Sequence, residues 1–273
     1  MRDVYAATDY SKARVRGLLL RVGVVAALLL TSACDGGHSA VSDESPTKAT
    51  TSASPTPPLP SPSEGGRVVV VHKGASVVEG EGTKYLSFAV LLRNLSNMAA
   101  LQATVEFQFV DESGRRLALP GWDSNSNTRE VYYLHPEEVF GFGETIELSD
   151  GALPKKLNIE ATVVDTQWLE AEGFGRSNIF ISDVKAAQAE QGTKLAFTVD
   201  NPWRNAQDAT CTFALFYDIY GRLRGGAYVE VSGNVYESGV SSASGVVATP
   251  VPKGTILKNI KMYATLHCLR SNR

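Results

Sequence analysis

The 273-residue sequence predicts an all-β chain: two tandem antiparallel β-sandwich domains behind an export signal and a Ser/Thr/Pro-rich tether. Three observations carry that expectation. Apolar residues alternate with polar ones, as at Leu86, Phe88, Val90 and Leu92, or Val105, Phe107 and Phe109. Such a period of two sets one strand face on a core and the other in water. The alternating blocks occur twice in the same order, and no stretch reads as a convincing amphipathic helix. Glu170 to Glu190 comes nearest, but Gly173, Gly175 and the strand-like Ile179-Phe180-Ile181 divide it.

The N-terminus is read first. Arg2, Lys12, Arg14 and Arg16 stand against Asp3 and Asp9, and Val22 to Leu30 is an uninterrupted run of nine apolar residues. A positive start, a short apolar core and small residues beyond it describe a secretory signal, here residues 1–33. A membrane span would need about 20 apolar residues. Thr31-Ser32-Ala33-Cys34 resembles the bacterial lipobox, in which lipid is attached to the cysteine and cleavage makes it the new N-terminus. That resemblance implies a palmitate-bearing lipoprotein on the outer face of the cell membrane, although Thr31 stands where an aliphatic residue is usual. The alternative is a secreted protein cut near Ala33 with Cys34 free.

Residues 34–66 form the tether. From Asp35 to Gly66, 17 of 32 residues are Ser, Thr or Pro. With so few apolar groups to bury, the segment does not offset its ordering entropy and is expected to be disordered. Its reach lies between about 30 Å as a coil and about 100 Å extended.

Beyond Gly66, 207 residues remain, enough for one large or two ordinary domains. Removing residues 1–33 takes five of the 26 basic side chains and two of the 29 acidic ones, leaving 21 minus 27, or −6. A mildly acidic chain without a Lys/Arg block is a poor candidate for nucleic acid or for an anionic membrane surface. Cys34 is assigned to lipid. Cys211 and Cys268 are then expected to pair as a disulfide in an oxidising compartment. Cys211 shares parity with Phe213 and Leu215, and Cys268 with Ile260, Met262 and Ala264, so both are expected to face one core.

The two copies are set at 67–168 and 175–273. Gly82-Thr83-Lys84 through Val90 parallels Gly192-Thr193-Lys194 through Val199, and Asn94 matches Asn201. Val105 to Leu117 parallels Cys211 to Leu223, with one extra residue before Asp218 that reads as a bulge. Leu157 to Thr162 parallels Ile260 to Thr265. Asp111-x-x-Gly114 and Asp218-x-x-Gly221 are predicted turns, with Asp at the first position and Gly accepting positive φ at the last.

Phe107-x-Phe109-Val110-Asp111 and Phe213-x-Leu215 followed by Tyr217-Asp218 resemble the Phe-x-Leu-Tyr-Asp signature of FxLYD-type domains of bacterial and archaeal lipoproteins. The resemblance covers most of both copies. It implies an Ig-like sandwich outside the membrane, with no general activity attached.

Local chemistry is sparse. None of His38, His72, His135 and His267 has a metal-type partner at local spacing. No nucleophile elbow or phosphate loop is present, and Gly141-Phe142-Gly143 lacks the third glycine of a dinucleotide fingerprint. Asp123-Ser124-Asn125-Ser126-Asn127 matches the first ligand positions of a calcium loop, but Thr128 and Leu134 replace the required Gly and Glu. No metal and no cofactor are therefore expected. Trp122, Tyr132, Tyr133 and Trp203 form a candidate binding surface, since exposed Trp and Tyr are typical hot spots. The alternative is that Tyr133 packs into the sandwich and Trp203 plugs a domain end.

The expectation on function is a non-catalytic, lipid-anchored binding or scaffolding protein of the cell envelope. Its partner would be another envelope protein or a wall polymer. The competing reading is an envelope hydrolase or metal-dependent enzyme whose site is assembled between the two domains. A small-ligand carrier is disfavoured, since compact sandwiches leave little room for a large apolar pocket.

Overall fold

The alternating blocks become strands in the computed structural model, which describes residues 67–118, 127–148, 157–169, 179–190, 192–202, 211–232 and 238–265. The signal, the tether and Cys34 lie outside the described residues. The first copy supplies β1 (Val68–Gly80), β2 (Thr83–Asn94), β3 (Ala99–Val110), β4 (Thr128–Leu134), β5 (Val139–Leu148) and β6 (Asn158–Leu169). The second supplies β7 (Phe180–Gln188), β8 (Thr193–Asn201), β9 (Cys211–Tyr217), β10 (Leu223–Tyr228), β11 (Glu230–Ser232), β12 (Gly239–Val247) and β13 (Lys261–Thr265). All named pairings are antiparallel. The protein is an all-β sandwich fold, and β7 occupies the region that most invited a helix.

Strand order repeats. The first copy forms sheets β1-β2-β5 and β4-β3-β6; the second forms β11-β12-β8-β7 and β10-β9-β13. Each copy packs its own two sheets face to face. In the first, Phe88 of β2 stacks on Phe107 and Phe109 of β3 with ring centroids 5.0 and 5.3 Å apart. In the second, Leu195, Phe197 and Val199 of β8 meet Ala214 and Phe216 of β9 and Met262 of β13.

The two sandwiches do not hang apart. The outer face of β1-β2-β5 lies on the outer face of β10-β9-β13, and Phe213, Leu215, Tyr217 and Leu223 belong to the same apolar cluster as the first sandwich's core. This contact explains why every residue from Leu86 to Leu92 of β2, and every residue of β9, is buried. Close approach needs small residues. A Cβ on Gly143 would stand 2.6 Å from the Gly226 Cα, and one on Gly141 would stand 2.6 Å from a Leu215 methyl. The Gly141-Phe142-Gly143 segment is therefore a packing device between sheets. Ser87 seals the junction: its hydroxyl donates to the Gly226 carbonyl at 2.9 Å and accepts from the Gly226 N–H at 3.1 Å.

Both Asp turns form as expected. Gly114 and Gly221 have φ of 79° and 72°, and their N–H groups donate to the carbonyls of Asp111 and Asp218 at 3.0 and 3.1 Å. Each Asp carboxylate then accepts the N–H two and four residues on, and an ion pair with Arg115 or Arg222 closes the turn.

Two expectations are corrected here. The extra residue before Asp218 is not a bulge in β9, which runs regularly against β13; the irregularity lies in β10, between Leu223 and Gly225. Aligned from the turn Asp, Phe216 matches Phe109 and Ala214 matches Phe107. Phe213 and Leu215 consequently face the other sandwich rather than their own core. The shared-core argument for the two cysteines fails with it. Cys211 lies with Phe213 in the junction cluster, whereas Ile260, Met262 and Ala264 lie in the second sandwich's core.

Candidate functional site

The faces not consumed by packing define where a partner has access. On the β4-β3-β6 sheet, Val105, Phe107 and Phe109 point inward, so Gln102, Thr104, Glu106 and Gln108 point outward from β3. The register sets Thr128, Glu130 and Tyr132 of β4 beside them on one flank. Glu160, Thr162, Asp165 and Gln167 of β6 lie on the other. The result is a face with four carboxylates, three glutamines and three threonines. Arg116, exposed and bridged to Val110 at the turn end, is the one basic residue among its described residues.

Tyr132 and Tyr133 meet at its end near Leu134. Tyr133 has φ of 55°, in the left-handed region, which breaks the alternation so that Leu134 takes the next buried position. The two tyrosines emerge side by side, half-buried, with ring centroids 6.5 Å apart. The Tyr132 hydroxyl donates to the Glu130 carboxylate. That hydrogen bond, then burial, then the Glu130 charge push the Tyr132 phenol up to about 12, so it stays a neutral donor at physiological pH.

Arg129 anchors this sheet from within. Its guanidinium, 3% exposed, pairs with Glu144 of β5 across the sandwich, with Nη2 2.6 Å from Oε2. It also sits 5.5 Å from the Phe107 ring centroid. The bidentate pair ties β4 to the β1-β2-β5 sheet.

Beside this face, the edges of β1 and β6 leave a groove of about 540 Å³, lined by Arg67, Val68, Ala161, Val163, Asp165 and Trp168 among others. Val164 bulges from β6 between Val163 and Asp165 and is 52% exposed.

The remaining candidates separate. Trp122, Trp203, Cys34, Cys268, His38 and His267 lie outside the described residues, as does Asp123 to Ser126 of the calcium-like loop. Asn127 is buried, and its carbonyl accepts the Phe107 N–H at 2.8 Å. His72 is held below its ordinary pKa by burial and by Lys261. Cys211 is buried; no disulfide is complete within the described residues. Among those residues, no group of three or more His, Cys, Asp or Glu side chains is placed to hold a metal ion.

Sequence reasoning singled out the tyrosines and did not gather the carboxylates around them. The signal was present in the outward parity of Glu106 and Gln108, but joining Glu130, Glu160 and Asp165 to it required the strand register. No family model, curated protein or solved structure matches the chain.

Proposed function

We propose that this chain is a lipid-anchored, non-catalytic envelope protein that uses the outer face of β4-β3-β6 to hold a basic partner surface. The observation that supports it is that face: it carries Glu106, Glu130, Glu160 and Asp165 against a single described basic residue, Arg116 at its turn end, and is bordered by Tyr132 and Tyr133. Complementary charge steers encounter and selects partners, and tyrosines at a rim supply amphipathic contact area. The resemblance to FxLYD-type lipoprotein modules belongs to the same proposal. Against a catalytic site between the sandwiches stands their junction, which is filled by Leu215, Phe213 and apposed glycine backbone.

Two experiments test the reading. A photo-crosslinking residue replacing Glu106 on intact cells should give a discrete adduct, while one replacing Ser242 on the opposite exposed sheet should not. Equal yields from both positions would remove the face from consideration. Cys34→Ala should release the protein from membranes, because stable anchoring takes two acyl chains or an equivalent second signal; undiminished retention would exclude the anchor.

A further inference from the structure

The β9–β10 turn differs from its counterpart in one respect. Where the first copy has Glu112 and Ser113 between its Asp and Gly, the second has Ile219 and Tyr220, each 65% exposed. Two large apolar side chains at a hairpin tip are costly to leave in water.

The tip is rigid. Asp218 Oδ1 accepts from the Tyr220 and Arg222 N–H groups at 2.9 and 3.0 Å, and the Arg222 guanidinium lies 5.0 Å from the Tyr220 ring centroid. From behind, the Ile256 N–H donates to the Tyr217 carbonyl at 2.9 Å. This docks the 3₁₀ turn Leu257–Asn259 against the tip and brings the exposed Lys258 alongside. Lys253, also exposed, sits in the turn just before it. The one carboxylate in the hairpin turn, Asp218, is already paired with Arg222.

We propose that this tip is a membrane wedge: Ile219 and Tyr220 enter the interface of an anionic bilayer while Arg222, Lys253 and Lys258 meet its headgroups. A protein partner fits less well, since a stable interface covers about 800 Å² per partner and two side chains on a narrow turn present far less. The headgroup layer suits the pair, because tyrosine belongs at that depth and nearby cations are drawn to anionic lipid. The net negative charge, −3 for the full chain, argues against adhesion by the chain as a whole, so this local basic edge would orient the molecule as well as hold it. The acidic β4-β3-β6 face would be repelled from the same surface. The wedge does not depend on lipid at Cys34.

The test places tryptophan at the tip. Full chains carrying Ile219→Trp, or Ser113→Trp in the equivalent turn of the first copy, are reconstituted into vesicles containing brominated phosphatidylcholine with or without phosphatidylglycerol. The expected result is quenching of the added Ile219→Trp emission in phosphatidylglycerol vesicles, its loss without that lipid, and none for Ser113→Trp. Equal quenching of the two variants would overturn the proposal. The unsubstituted chain supplies a second reading: phosphatidylglycerol vesicles should protect Lys258 from acylation more than Lys194, and equal labelling would overturn it too.

Discussion

Gly226→Ala isolates the packing of the two sandwiches against each other. Gly226 is absent from the positive-φ positions, so alanine is conformationally acceptable and only space is at issue. The added Cβ would stand 2.8 Å from both the Ala214 carbonyl oxygen and the Gly143 Cα, and 3.0 Å from the Ala89 Cβ. Two of those three atoms are backbone, so no side chain can swing away and the sheets must part. Overpacking of this kind costs about 1–3 kcal/mol, while the stiffer unfolded chain returns about 0.4–1 kcal/mol. Backbone on two sides puts the cost in the upper half of that range, roughly 2–3 kcal/mol, so the net loss is roughly 1–2.6 kcal/mol, or a fall in Tm of roughly 2–10 °C for a domain of this size. Scanning calorimetry of the full chain measures it. If the junction were loose, the same substitution would leave Tm unchanged or raise it, and that result would refute the packing argument.

Three further outcomes are expected. Arg129→Met strands Glu144 without its buried partner, which costs about 3–5 kcal/mol in general; with the Glu144 side chain 23% exposed, the lower end applies, and a urea midpoint unchanged from the parent would contradict it. Burial pushes the Asp218 carboxyl up, but hydrogen bonds from Arg222 and Tyr220 and the Arg222 charge outweigh it and hold the group below the usual carboxylate range. A depressed folded pKa gives stability that is present above the unfolded value of about 3.9 and lost as pH falls through the folded one. Asp218→Asn should therefore flatten the acid limb of stability against pH, and identical slopes would dismiss the turn as its source. Cys211 is expected to be linked to Cys268, as an oxidising compartment favours, and closing the loop is worth roughly 4 kcal/mol in the chain-entropy view. Mass spectrometry of the unreduced chain decides it, with two alkylatable thiols as the contrary result.

What could be read from residues alone follows the range of the underlying interaction. Strand identity is local, fixed by side-chain alternation, so β2, β3, β8 and β9 were visible in Leu86 to Leu92, Val105 to Phe109 and their repeats. The turns were visible too, because Asp and Gly at fixed separation satisfy a turn by themselves. The junction was not. Alternation in β9 offers two apolar faces, Phe213 with Leu215 and Ala214 with Phe216, and nothing local says which meets its own copy. Counting from the Phe-x-Leu-type match picked the wrong face; counting from Asp218 picks the right one, since the turn fixes the end of the strand. The acidic face was hidden for the same reason, as Glu130 and Glu160 are thirty residues apart and come to share a face only through β3, opposite Thr104 and Gln108.

The duplicated strand order makes that face informative. Counted from the turn, Thr104, Glu106 and Gln108 of β3 occupy the places of Cys211, Phe213 and Leu215 of β9; counted from Asn94 and Asn201, Ser87 and Leu91 of β2 match Lys194 and Thr198 of β8. The junction thus joins one type of face from the first copy to the other type from the second. Such a heterologous contact, if both copies kept both apolar faces, would continue into an open array of chains. The unused faces are polar, Lys194, Thr198 and Asp200 on one end and Glu106, Gln108 and Glu160 on the other, which disfavours that continuation. Stopping an array needs only scattered charge of either sign, as on β8, where Lys194 and Asp200 balance. Four carboxylates against one described cation, Arg116, exceed that requirement. The excess of one sign, on the face whose counterpart is a docking surface, is the reason to look for a basic partner there.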